Sequence, residues 1–292
     1  VGGSDTEVLL AAITEWGLEK ALKNITGMFA FALWDKKHQT LQLVRDRVGE
    51  KPLYYGWQKD IFFFASELKA LKKYPHFDRR ISNEALSFQL KFGNIPAPFS
   101  IYENVHKLMP ASFITIKVNE KLNIGYLPKI NKYWSPINSI DSKKIDFINP
   151  NDELENILIK SIKNQSLSDV PLGVFLSGGI DSTLVTSLMQ ANSSKKINSF
   201  SIGFEENSFN ESLHAKKIAQ HLQTHHNELI ITPRDALEII PTLSKVYDEP
   251  FSDISQIPTL LLAQYAKKKV TVCLTGDGGD EVFGGYNRHV FG

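Results

Sequence analysis

Hydrophobic and polar positions along the first 118 residues recur mostly with the two-residue period of β-strands. Residues 28–35 are apolar and rich in aromatics, and Leu41-Gln42-Leu43-Val44 alternates. Residues 53–57 and 61–64 flank a Lys59-Asp60 turn signal, and residues 112–118 alternate again. Helical spacing covers residues 6–16, 67–73 and 83–92. This mixture predicts an α+β region with antiparallel strands.

Residues 122–150 carry Asn, Ser, Lys and several Pro with weak periodicity, which predicts a linker whose boundary lies between residues 135 and 150. The expected division is residues 1–135, a linker at 136–150, and residues 151–292. Beyond it the rhythm changes. A helix starting at Asp152 has Leu154, Ile157, Leu158 and Ile162 on one face. Strands are then expected at 170–176, 197–202, 228–231 and 270–274. Helices at 181–189, 211–222, 234–246 and 258–268 separate them. Strands alternating with helices predict a parallel sheet covered on both faces.

Composition narrows the function classes. With 42% hydrophobic and 22% charged residues among 292, the chain is not wholly disordered. No apolar run reaches the roughly 18 residues of a membrane span, so no membrane partner is expected. The formal charge of +1 gives no support to a broad nucleic-acid surface. The single Cys273 rules out an internal disulfide framework and fits a reducing, cytoplasmic compartment. The chain opens at Val1 without a signal-like start and stops at Gly292. Both ends read as internal points of a longer protein.

Two segments carry candidate chemistry. Ser177-Gly178-Gly179-Ile180-Asp181-Ser182 lies between a predicted strand and helix. Glycines let backbone approach a phosphate, and helix N–H groups attract an anion. Ser177 and Ser182 add hydroxyl donors. Asp181 would repel phosphate unless Mg²⁺ lay between them. The alternative is a plain strand-to-helix turn with a polar cap. The second segment, Thr275-Gly276-Asp277-Gly278-Gly279-Asp280-Glu281, also follows a predicted strand. In a parallel sheet both loops leave carboxyl edges, where ligands bind. Asp181 and Asp280 could then share one Mg²⁺. The alternative is a solvated acidic turn or a calcium loop.

These motifs carry a resemblance. Ser-Gly-Gly-x-Asp-Ser resembles the pyrophosphate loop of N-type ATP pyrophosphatases. The run from Leu274 through Tyr286 resembles the partner motif of glutamine-hydrolysing asparagine synthetases. Arg45-Asp46-Arg47-Val48-Gly49-Glu50-Lys51-Pro52-Leu53-Tyr54-Tyr55, Phe64-Ala65-Ser66-Glu67-Leu68 and Gly3-Ser4-Asp5-Thr6-Glu7-Val8 resemble that family's N-terminal glutaminase domain. The resemblance implies an incomplete glutaminase of the Ntn-hydrolase-like α+β class. An incomplete α/β ATP-pyrophosphatase domain, of the adenine nucleotide alpha hydrolase-like type, follows it.

The resemblance also implies roles. Asp5 matches the carboxylate that holds the α-amino group of glutamine. Leu176 and Ile202 match positions beside the nucleotide. Ser177, Gly178, Gly179 and Ser182 match the pyrophosphate cradle, and Thr275 and Gly276 match AMP contacts. Asp181 and Asp280 match magnesium ligands. Asp277 stands where the family usually has Glu, a residue linked to forming the acyl-adenylate. The implied cofactors are ATP and Mg²⁺, and the implied substrates are glutamine and aspartate. Ammonia is expected to pass between the domains, and a homodimer is possible.

The family's glutaminase nucleophile is a Cys at the mature N-terminus, and no such Cys occurs here. Cys273 reads as strand core. The parent protein is therefore expected to carry both sites, with this stretch alone not hydrolysing glutamine. Two further readings stay open. The Gly-Asp-Gly-Gly-Asp-Glu form and residues 92–102 also look like homologues acting on a sugar carboxylate in surface-polysaccharide biosynthesis. A non-catalytic degenerate homologue is the reading of another class. Asp248-Glu249-Pro250-Phe251-Ser252-Asp253 reads either as acceptor-pocket lining or as an acidic cap of the next helix. His225-His226 is not expected to share a metal, because adjacent strand side chains point to opposite faces.

Overall fold

In chain order the elements of the first half are α1 (Asp5–Trp16), α2 (Leu18–Asn24), β1 (Ala30–Asp35), β2 (Thr40–Arg45), β3 (Tyr54–Gln58), β4 (Ile61–Ala65), α3 (Leu68–Leu71), α4 (Asn83–Phe92), β5 (Val105–Lys107), β6 (Ser112–Lys117), β7 (Asn131–Lys132) and α5 (Pro136–Ser139). The second half runs α6 (Pro150–Gln165), β8 (Leu172–Phe175), α7 (Ile180–Ala191), β9 (Asn198–Phe204), α8 (Ser212–His221), β10 (His225–Ile231), α9 (Pro233–Val246), α10 (Gln256–Ala266), β11 (Val272–Leu274) and α11 (Gly279–Phe283). This computed structural model describes residues 3–118, 125–139, 149–205, 211–286 and 289. Two compact units result: Val1–Lys144 with Ser244–Ser252, and Ile145–Leu243 with Asp253–Gly292.

In the first unit, β1, β2, β6 and β7 form an antiparallel sheet in that order, and β4, β3 and β5 form a second. Alternation along β3 sends Tyr54 and Tyr55 to opposite faces, and both are buried. Tyr54 packs with Leu68, Phe77 and Val105. Tyr55 packs with Leu43, Leu108 and Ile114. The aromatic run after it divides in the same way, Phe62 joining the second cluster and Phe63 the first.

A polar hub closes β2. Asp46 is fully buried, and its carboxylate accepts the backbone N–H groups of Phe29, Glu50 and Lys51 at 3.2, 2.9 and 2.9 Å. Arg45 donates to the carbonyls of Lys51, Leu108 and Gly49. Arg47 donates to Ile25 and Lys23 at the end of α2. The Arg-Asp-Arg run is thus a brace for a loop that makes few ladder bonds of its own.

Three short elements escape the periodicity reading: α2, β5 and β7. The two-residue β7 exists only through its pairing of Asn131 and Lys132 with Phe113 and Ser112. Tyr133 beside it is buried, and its hydroxyl donates to Arg45 O at 2.9 Å. Residues 140–148, the middle of the predicted linker, lie outside the described residues.

The second unit holds a parallel sheet in the order β10-β9-β8-β11. Its centre is apolar on both faces, as a sheet covered by helices requires. Val174 packs with Ile162, Leu188 and Met189. Phe200 packs with Leu262, Ala266 and Val270. From β8 the chain steps outward through β9 to β10. It then returns to the other side of β8 as β11. The strand order therefore reverses between β8 and β11, and such a switch point opens a crevice at the carboxyl ends. Among the described residues no helix is long and apolar enough to cross a membrane.

Candidate functional site

Both candidate loops leave the two strands that flank the switch point. Leu274, the last residue of β11, pairs with Val174 of β8. Thr275 and Ser177 therefore start from neighbouring strand ends. Around them lies a cavity of about 1360 Å³ within the second unit. Nucleotide-sized ligands fit comfortably in such a space, since drug-sized pockets run to roughly 1,000 Å³.

The first loop is folded by its own hydroxyls. Ser182 Oγ lies 2.9 Å from Ser177 Oγ, accepts the Ser177 N–H at 3.2 Å, and donates to Gly179 O at 3.2 Å. Ser177 Oγ accepts the Gly179 N–H. These bonds curl the chain from β8 straight into α7, whose first-turn N–H groups face the cavity end of the helix. Gly178 has φ +93°, and a Cβ there would stand 3.1 Å from Ala215 N and from His214 Cβ. The loop can therefore lie against α8 only with glycine at this position.

The second loop lies on the first. A Cβ at Gly276 would stand 2.7 Å from Ser182 N. Thr275 Oγ1 donates to Asp277 Oδ2 at 2.9 Å and accepts the Asp277 N–H at 3.3 Å, which orients that carboxylate at the cavity rim.

The cavity brings together Leu176, Ser177, Gly179, Asp181, Ser182, Ile202, Thr275, Gly276, Asp277 and Asp280. Gly178 is set back against α8. Asp5 belongs to the first unit, where it opens α1 exposed to solvent and its Oδ1 accepts the Thr6 N–H at 2.7 Å. Sequence reasoning did not find the rest of the cavity wall: Phe204, Glu205, Thr232, Pro233, Ile254 and Pro258 are among its members. They come from the ends of β9 and β10 and from the chain entering α10. None sits in a motif, and only the strand order could have announced them.

Electrostatics restrict what the cavity can hold. Five carboxylates line it, from Asp181, Glu205, Glu211, Asp277 and Asp280, with no Lys, Arg or His among the lining residues. A polyanion can enter only with its own cation. No group of three or more His, Cys, Asp or Glu able to hold an ion occurs among the described residues. Magnesium fits this donor set nonetheless. It keeps several waters and takes one or two carboxylates together with substrate phosphates, and Asp181 and Asp280 supply the carboxylates.

Cys273 lies on β11 against the Phe200 cluster. Burial pushes its thiol up to about 11, so it is protonated near neutrality and no nucleophile. Asp248 and Glu249 correct both sequence readings. They cluster with the first unit, where Asp248 accepts the N–H groups of Leu68 and Lys69. The helix capped is α3, not the one that follows in sequence. Asp253 instead accepts the Ser255 N–H and hydroxyl just before α10. His226 lies within hydrogen-bond distance of the Ser199 and Ser201 hydroxyls. Burial holds its imidazole below the ordinary histidine range.

Comparison with known proteins agrees with this architecture. The family profile of the glutamine amidotransferase domain matches residues 1–134, and that of asparagine synthase matches residues 153–291. A putative glutamine-hydrolysing asparagine synthetase 2 of Methanocaldococcus jannaschii is 37% identical over 300 residues, covering 99% of this chain and 55% of that protein. Asparagine synthetase 1 of Bacillus subtilis is 36% identical over 284 residues, covering 97% of this chain and 43% of that protein. The chain thus spans about half the length of the curated relatives it matches. Among solved structures, a glutamine-dependent NAD+ synthetase from Acinetobacter baumannii aligns at 12% identity with a TM-score of 0.38. That alignment covers 99% of this chain and 68% of that one, a likeness too slight to carry weight. The chain therefore joins a glutamine amidotransferase domain to an asparagine synthase domain. It belongs to the family of glutamine-hydrolysing asparagine synthetases.

Proposed function

We propose that the protein is an ATP-dependent, glutamine-hydrolysing asparagine synthetase. The observation that carries this reading is the pair of loops at the β8–β11 switch point. One is hydroxyl-rich and enters a helix, the other is acidic, and both open on one cavity without a basic side chain.

A carboxylate is a poor acyl donor because its leaving group would be oxide. Attack by the aspartate side chain on the α-phosphorus of ATP gives an acyl-adenylate and releases pyrophosphate. Ser177, Ser182 and the first turn of α7 would receive that pyrophosphate through hydroxyl and backbone N–H donors. Gly178 and Gly179 keep the backbone free of side chains there. Leu176 and Ile202 would flank the adenosine, and Thr275 and Gly276 would contact AMP. Asp181 and Asp280 would hold Mg²⁺, which supplies charge neutralisation at the phosphates. Asp277, oriented by Thr275, would position the reacting groups. Asp5 would pair with the α-ammonium of glutamine, as a desolvated ammonium requires. Ammonia from glutamine then attacks the acyl carbon and expels AMP. The apolar part of the wall, including Phe175, Phe204, Ile231 and Phe283, limits water that would otherwise hydrolyse the adenylate.

The test follows AMP, pyrophosphate and asparagine together, using the full-length protein with Mg²⁺, ATP, glutamine and aspartate. Equal amounts of all three support the proposal. Glutamine hydrolysis without aspartate-dependent AMP would reject aspartate as the acceptor.

A further inference from the structure

The stretch Ser244–Ser252 clusters with the first unit, although the sequence on both sides of it belongs to the second. Its hold there is polar and specific. Asp248 accepts the Leu68 N–H at 2.7 Å and the Lys69 N–H at 3.1 Å. Glu249 Oε1 accepts the Ile101 N–H at 2.8 Å, and its Oε2 pairs with Lys107 Nζ at 2.5 Å. Both side chains of that pair are largely buried, 11% and 16% exposed. Lys107 Nζ also donates to Ile95 O. Ser252 N–H donates to Gly93 O at 2.6 Å. The carboxylates of Glu249 and Asp248 add to the burial that raises the Tyr54 phenol well above its ordinary value.

Two residues past Ser252 the chain becomes cavity wall: Ile254, Ser255, Pro258, Thr259 and Leu262 all line the nucleotide-sized space. One continuous run of backbone is therefore anchored in the first unit and then forms wall in the second.

We propose that Glu249 is a positioning residue for the cavity. Its bonds to Ile101 and Lys107 fix the point from which residues 253–259 set out, and so fix that wall. The physical reason is the cost of a half-broken buried pair. With a neutral side chain at 249, the Lys107 charge stays buried without its counterion. The strap relieves this by loosening, and the loosening is inherited by the residues covalently joined to it. Asp248 and Ser252 are backbone anchors of the same strap. Glu249 is the member whose charge can be altered while its shape is kept. The effect on nucleotide affinity rests on reading the cavity as an ATP site. The effect on backbone motion does not.

The experiment compares the full-length wild type with Glu249→Gln and with the charge swap Glu249→Lys/Lys107→Glu. Three readouts are taken: displacement of a fluorescent ATP analogue by MgATP, amide hydrogen exchange over residues 253–262, and melting temperature. Glu249→Gln is expected to speed exchange at residues 253–262 while leaving β8 and β9 unchanged, and to weaken MgATP binding roughly 3- to 10-fold. The swap is expected to recover part of both. A purely structural role would lower the melting temperature alone. Wild-type exchange at residues 253–262 in Glu249→Gln therefore overturns the inference, whatever its melting temperature. Failure of the wild type itself to bind MgATP would instead strike at the ATP-site reading, leaving the exchange comparison to decide this one. If Glu249→Gln does not fold, Glu249→Asp, shorter by one methylene, takes its place in the same comparison.

Discussion

The carboxylate of Asp181 occupies the space that a β-carbon on Gly279 would need. An ideal Cβ there would overlap Asp181 Oδ2 and come within 3.0 Å of Asp181 Cβ. The two loops are thus in contact at the residue proposed to hold the metal, and the absence of a side chain at 279 makes room for that carboxylate. Gly279→Ala should push the Asp181 carboxylate aside, a small movement at the end of a side chain. Thermal stability should change little, while MgATP affinity falls about tenfold, or roughly 1.4 kcal/mol. Titration of MgATP against the variant measures this, and unchanged affinity would show that the position of Asp181 is immaterial.

Asp181→Asn removes the charge and keeps the shape. It should leave the melting temperature near that of the wild type and reduce ATP-dependent adenylation by about a hundredfold or more, the scale of a lost charge stabiliser. AMP formation at saturating Mg²⁺ is the measurement. Adenylation at the wild-type rate would remove Asp181 from the metal site.

Asp46 tests the brace rather than the chemistry. Asp46→Ala leaves three buried N–H donors without their acceptor. At about 1 kcal/mol for each such bond, the loss is roughly 3 kcal/mol. Scanning calorimetry should show a transition lowered by several degrees. An unmoved transition would mean that the loop after β2 is held by other contacts.

Cys273 supplies a pH prediction. Burial raises its pKa to about 11, so the folded state disfavours the thiolate. The associated stability is fully present below the ordinary thiol value and is lost as pH climbs toward 11. At pH 8 the native thiol should react with maleimide far more slowly than the same thiol in guanidinium. Equal rates in the two conditions would contradict its burial against the Phe200 cluster.

What the sequence determined by itself was local. Ser177 to Ser182 and Thr275 to Glu281 announce themselves because glycine, hydroxyl and carboxylate positions must sit at fixed offsets from a strand end. The amphipathic face of α6 and the alternation of β2 and β6 are likewise written in adjacent residues. The tertiary structure decided what depends on distant partners. The order β10-β9-β8-β11, which brings the two loops to one crevice, is a choice among strand pairings that no single segment encodes. The two-residue β7 needs Ser112 and Phe113 to exist at all. Asp248 and Glu249 find their partners at Leu68, Ile101 and Lys107, more than a hundred residues away. The physical reason is range. Periodicity and turn chemistry act through neighbouring dihedrals and side chains, whereas buried carboxylates and sheet order are settled by which far segments can satisfy them when the core closes.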